Sequence, residues 1–167
     1  SDVCSSDLGA DHHVVSLCQR PGPALVAVDL TVADKAAVDA LHRRLAGTSV
    51  DLLAAPAPIQ EPGGGYGFMF ADPEGRILRI VSGAERHADA SVVADDPIKL
   101  SHLVFNSAKR AEIAEFYTGL LGFRVIDRTR IMTFLCCNRD HHSIAFADGD
   151  AATLNHLAFD MKDKIGR

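Results

Sequence analysis

The spacing of apolar residues divides the chain into short strands around two helices. Ile113, Phe116, Tyr117, Leu120 and Leu121 recur at i, i+3, i+4, i+7 and i+8, the stripe that an amphipathic helix buries. Gly122 follows, a residue suited to the left-handed conformation that ends many helices. Upstream, Val38, Leu41 and Leu45 make a sparser stripe that stops at Gly47. An apolar strand precedes each stripe, within LVAVDLTV and LSHLVF. Three more strand-like runs follow each: SVDLLAAP, GYGFMFA and RILRIVS after the first, and FRVIDR, MTFLCC and HHSIAF after the second. Asp72-Pro73-Glu74-Gly75 reads as a tight turn between two of these strands.

The order is therefore β-α-β-β-β, used more than once. Two registers support a repeat. Asp11-His12-His13 recurs 129 residues later as Asp140-His141-His142, and the same offset carries Leu25 onto Leu154 and Asp34 onto Asp163. An offset of 75 residues lays LVAVDLTVADKAAVDALHRRL on LSHLVFNSAKRAEIAEFYTGL. The expected class is α+β, with repeated βαβββ modules forming half-barrels in two domains, both incomplete. Residues 10–82 make the first domain, without its start. Residues 83–97, small and polar, read as a linker, and residues 98–167 make the second domain, cut where its next helix should begin. Residues 1–9 match nothing else in the chain and read as a possible non-native scar.

Composition narrows the partners. The 167 residues carry 17 Lys and Arg against 22 Asp and Glu, a net charge of −5. That balance gives no basic surface for nucleic acid or for an anionic membrane, and no apolar run approaches the ~20 residues of a membrane helix. The four cysteines form no CxxC pair and read as reduced thiols of a cytoplasmic protein. Gly63–Gly67 lacks the lysine and helix of a phosphate loop, so it reads as a loop before a strand.

The two offsets meet at one strand position, occupied by Ala27, His102 and His156 in successive modules. Alternation puts His102 with Val104, and His156 with Ala158, on the face opposite the bulky residues that pack under a helix. Two imidazoles entering one cavity from related strands suit a metal ion. The alternative is a pair of separate histidines, each satisfied by a backbone partner. His141 and His142 are read as part of the strand before His156. Sharing alternation with Ile144 and Phe146, His142 is the better inward candidate, with a structural core histidine as its alternative.

FYTGLLGF, DPEGRILRI, CNRDHHSIAF and LNHLAFDM resemble the vicinal oxygen chelate superfamily. Within it they are most similar to the type I extradiol ring-cleaving dioxygenases, such as 2,3-dihydroxybiphenyl and catechol 2,3-dioxygenases. DPEG and FYTGLLGF are common to the superfamily, whereas CNRDHHSIAF followed by NH is more specific. The resemblance covers nearly everything after Gly9. It implies Fe(II), occasionally Mn(II), held by His102, His156 and a glutamate. It also implies His142 as the acid–base residue, and Phe134 and Val104 as walls of the substrate pocket. The glutamate lies in the strand after a DPxG turn. In the first domain that place is Arg79, and in the second it falls beyond Arg167. Asp148, Asp150 and Asp163 match no ligand position and read as solvated turn acids. The implied reaction is cleavage of a catechol by O2 beside its hydroxyls, in an intact, homo-oligomeric parent; the present chain is expected to bind iron weakly and turn over little. The alternatives are a glyoxalase-like metalloenzyme and a non-enzymatic small-molecule binder of the bleomycin-resistance kind.

Overall fold

The computed structural model describes residues 3–8, 11–87 and 97–161. Asp163 and most of the expected linker, 88–96, lie outside these. The chain runs β1 (Val3–Leu8), β2 (Asp11–Cys18), β3 (Val28–Thr31), α1 (Lys35–Ala46), β4 (Asp51–Pro58), β5 (Tyr66–Ala71) and β6 (Ile77–Ser82). It continues with β7 (Pro97–Ser107), α2 (Arg110–Leu120), β8 (Arg124–Arg128), β9 (Met132–Cys136), β10 (Ile144–Asp148) and β11 (Leu154–Met161). The class is the expected α+β.

The two modules share one wiring. In the first, the sheet order is β3-β6-β5-β4, with β3 parallel to β6 and the other pairs antiparallel. In the second, β7-β10-β9-β8 repeats that pattern, and β11 is added antiparallel to the free edge of β7. β1 and β2 form a separate antiparallel pair. The strand expected to hold Ala27 begins one residue later, at Val28.

Local chemistry explains the helix ends. Asp34 caps α1 by accepting the Ala37 N–H at 2.8 Å. Gly122 follows α2 with φ 78°, a conformation that glycine adopts without steric cost. Each helix covers one face of its sheet. Val38 and Leu45 meet Phe68, Phe70, Leu78 and Ile80. Ile113, Ala114 and Tyr117 meet Phe105, Leu135, Ile144 and Phe146. All belong to one continuous core. Burying each large side chain contributes about 1.5–3 kcal/mol.

The Asp72–Gly75 turn is also where the modules join. Asp72 Oδ1 accepts the N–H groups of Glu74 and Arg76, both at 2.9 Å. The Arg76 guanidinium then pairs with Asp72 and Glu74, donates to the Asn106 carbonyl at 2.7 Å, and lies over the rings of Phe105 and Phe146. Glu74 in turn accepts the Ala108 N–H, and Arg44 donates to the Leu120 carbonyl. A turn of one module is thus held against the helix and first strand of the next. Among the described residues, no helix is long and apolar enough to cross a membrane.

Candidate functional site

Pairing fixes the faces of the second sheet. Val104 lies opposite Ala145 on one side and His156 on the other, while Ala145 also lies opposite Phe134. Directly paired residues share a face, so Phe134, Ala145, Val104 and His156 form a row across it. His102, two residues before Val104 on β7, belongs to the same face. The opposite face carries Leu103, Phe105, Ile144 and Phe146, of which the last three are buried core residues with α2 above them.

His102 and His156 therefore meet on the face away from α2, with ring centroids 5.6 Å apart at 76°. His142 packs closer to His102, with ring centroids 4.2 Å apart and planes tilted by 40°, and its ring sits edge-on to Phe134 at 5.1 Å. All five residues singled out in the sequence thus gather on one sheet face or at its rim. The route of His142 to that face differs from the one expected. β10 begins only at Ile144, so His141 and His142 lie outside the strand. Ile144 and Phe146, expected to share the face of His142, point the other way into the core. Alternation cannot be counted back through an irregular segment.

A local network shapes that segment. Asp140 N donates to Asn138 Oδ1, and the Cys136 thiol approaches the carbonyls of Asn138 and Asp140. Lys99 Nζ then reaches Asp140 on the loop and Asp160 on β11, which ties the histidine loop to the two strands carrying His102 and His156. Hydrogen bonds and charge from these acids hold the Lys99 ammonium above its usual pKa, against the opposing effect of burial. His141 is exposed and faces His142 through the two Nδ1 atoms at 3.1 Å. The twin histidines stand at the start of β2, where His12 and His13 pair the same way at 2.9 Å and His12 stacks on His87.

The electrostatics favour neutral rings. Burial, then the neighbouring His156, lowers the pKa of His102 against an opposing pull from Asp160. Burial, then His102, His141 and His156, lowers that of His142. A neutral imidazole keeps a lone pair for a metal ion or for a proton. Among the described residues, no group of three His, Cys, Asp or Glu side chains gathers to hold a metal. His102 and His156, with ring centroids 5.6 Å apart, bring two imidazoles to one sheet face. Asp148, read as a solvated acid, pairs with Arg110 at 2.8 Å. In the first module, the position expected to lack a ligand holds Arg79, paired with Asp29 and Glu61.

Two residues beside the site escaped the sequence reading, Asn106 and Asn155. A hydrogen-bonded row links them to His156. The available signal was the Asn-His pair itself, read only for its histidine.

Residues 99–163 match the family model described as Glyoxalase/Bleomycin resistance protein/Dioxygenase superfamily. Among solved structures, the Mn(II)-bound glyoxalase from Novosphingobium aromaticivorans is 35% identical, with a TM-score of 0.86 over 93% of this chain and 53% of its own. The 2,3-dioxygenase LapB from Pseudomonas sp. KL28 is 20% identical, with a TM-score of 0.77 over 93% of this chain and 60% of its own. The 2,2',3-trihydroxybiphenyl 1,2-dioxygenase from Sphingomonas wittichii strain RW1 is 24% identical, with a TM-score of 0.75 over 89% and 57%. The chain thus spans little more than half the length of these structures, and the two dioxygenases share its fold. No curated protein matches it. Residues 99–163 belong to the glyoxalase, bleomycin resistance protein and dioxygenase superfamily, and the module before them is wired in the same way.

Proposed function

We propose that the intact protein carrying this chain is an extradiol dioxygenase, which opens a catechol ring with O2 beside the two hydroxyls. The observation that carries the reading is the packing of His142 between His102 and Phe134. It sets a proton-handling group against a metal-ligand candidate at the edge of an apolar wall. In this reading His102 and His156 hold Fe(II), or Mn(II), together with a carboxylate supplied from outside the described residues. Bound Fe(II) supplies the coupling of an electron-rich catechol to dioxygen.

The protein side of the reaction follows from the face. Phe134, half-buried and edge-on to His142, offers the apolar wall against which an aromatic ring can lie, while Val104 and Ala145 in the same row are buried and back that wall. His142, neutral because burial and its histidine neighbours disfavour its charge, accepts a catechol proton. Its Nδ1 already faces His141, which leaves Nε2 as the exchanging atom. The protonated ring then returns that proton to the opened product. General acid–base help of this kind contributes about 10²–10⁴-fold.

A second reading rests on the 35% identity to the Mn(II)-bound glyoxalase: a metal-dependent isomerase on the same frame. One assay separates the two. The intact protein, loaded anaerobically with Fe(II) and then exposed to air, is offered a panel of catechols and, separately, the hemithioacetal of an α-ketoaldehyde with a thiol. A yellow semialdehyde product, lost in His142→Ala while metal stays bound, supports the dioxygenase. Isomerised thioester with no ring cleavage from any catechol rejects it. The 167-residue chain alone is expected to turn over little.

A further inference from the structure

Strand β11 contains one residue more than its partner requires. Leu154 pairs with Phe105 and His156 with Val104, so a single step along β7 is matched by two steps along β11. Asn155 is the extra residue of this bulge. Bulges re-aim side chains, and here both Asn155 and His156 reach groups on the same side. The Asn155 amide spans from Asn106 to the imidazole: its Nδ2 donates to Asn106 Oδ1 at 2.9 Å, and its Oδ1 lies 2.9 Å from His156 Nδ1.

Asn106 is held at every polar atom. Its N–H donates to the Thr153 carbonyl, its carbonyl accepts Arg76 Nη2, and its Nδ2 donates to Thr153 Oγ1 at 2.9 Å. Gly149 packs so close that a Cβ there would come within 2.8 Å of the Asn106 Cβ. The row therefore has a fixed far end, anchored by the buried guanidinium that joins the modules, and a near end on the ring of His156.

We infer that Asn155, fixed by Asn106 and Thr153, is a positioning residue that holds His156 as the Nδ1–H tautomer and so bares Nε2 toward the open sheet face. The row has two electrically consistent senses. Run as in the structure, each amide nitrogen donates away from the histidine and Asn155 Oδ1 accepts from the ring. Run in reverse, Asn155 Nδ2 donates to Nδ1 and the proton sits on Nε2, where it blocks ligation. An imidazole free in water favours the Nε2–H form, so the row must act on the ring to reverse that preference. The inference deepens the site proposed above, because it rests on His156 being a metal ligand.

The test reads the tautomer before any activity. In the metal-free 167-residue chain at alkaline pH, nitrogen-15 shifts of His156 should report a protonated Nδ1. Asn155→Leu should shift the ring toward Nε2–H, and Asn155→Asp, which keeps an acceptor, should restore Nδ1–H. Titration with Co(II) should show affinity falling about tenfold or more in Asn155→Leu and recovering in Asn155→Asp. A wild-type ring protonated at Nε2, or a tautomer indifferent to Asn155→Leu, overturns the inference. So does an unchanged Co(II) affinity in Asn155→Leu when His156→Ala loses it. If His156→Ala leaves Co(II) affinity unchanged, the ligand reading fails instead, and the tautomer measurement still decides the role of Asn155.

Discussion

Replacing Arg76 by methionine should destabilise the chain by about 3–5 kcal/mol, the usual cost of removing one partner from a buried ion pair. Arg76 is 5% exposed and Asp72 4%. The guanidinium makes three short hydrogen bonds, to Asp72 at 2.9 Å, Glu74 at 2.7 Å and the Asn106 carbonyl at 2.7 Å. Bonds to charged groups contribute about 1.5–3 kcal/mol each, but the net is smaller than their sum for two reasons. Burying the guanidinium costs solvation, and Arg76 Nε finds no partner among the described residues. Methionine keeps the apolar contact with Phe105 and Phe146 yet strands the Asp72 and Glu74 carboxylates. Asp72 retains two backbone N–H donors, which limits the loss. Urea unfolding followed by far-ultraviolet circular dichroism gives the difference directly. A fall in Tm of roughly 6–20 °C corresponds to it for a chain of this size. The triple variant Arg76→Met, Asp72→Asn, Glu74→Gln should recover much of the loss, because it leaves no unpaired charge. Stability of Arg76→Met within about 1 kcal/mol of the parent would refute the view that this pair holds the modules together.

Three further outcomes follow from the same geometry. Burial pushes the Glu74 carboxyl up, but hydrogen bonds from Arg76, Ser107 and the Ala108 N–H, with the Arg76 charge, outweigh it and leave the pKa below its ordinary 4.5. The unfolded chain therefore takes up this proton first. Stability is complete above pH 4.5 and is lost as pH falls toward the lower folded value, so Glu74→Gln should flatten that part of an acid-unfolding curve. Gly149→Ala forces its new Cβ against Asn106 and should cost about 1–3 kcal/mol, read by thermal unfolding, while also perturbing the His156 nitrogen-15 shifts. Phe146→Ala empties a fully buried site between Phe105 and Tyr117 and should cost about 3–5 kcal/mol, measured by the urea midpoint.

Much of the architecture was legible because apolar spacing is a local property. The stripe Ile113–Leu121 marked α2, and Ile113 and Tyr117 are indeed in its buried face. The repeat registers placed the strands of both modules in the same order. His102 was readable from its alternation with Val104 on β7, and His156 from its alternation with Ala158, past the bulge at Asn155. His142 was placed on the face it occupies, but through a strand that does not extend so far. The Asn138 turn and the Lys99 ion pairs, not a pleat, set where its ring goes. Asn155 was invisible for a related reason. A bulge is a mismatch between two strands, and it has no signature in one of them.

The sequence by itself determined the order of strands and helices in each module and the faces of regular stretches such as His102–Phe105, because side-chain direction follows from backbone periodicity over a few residues. Only the tertiary structure decided which side chains share an environment. It packed His142 on His102 through a loop held by Asp140, Asn138 and Lys99. It turned Arg76 from a turn residue into the cation between two modules, and joined Asn106 to His156 through a bulge. These depend on contacts between residues distant in the chain, whose geometry is set by sheet register and core packing rather than by local pattern.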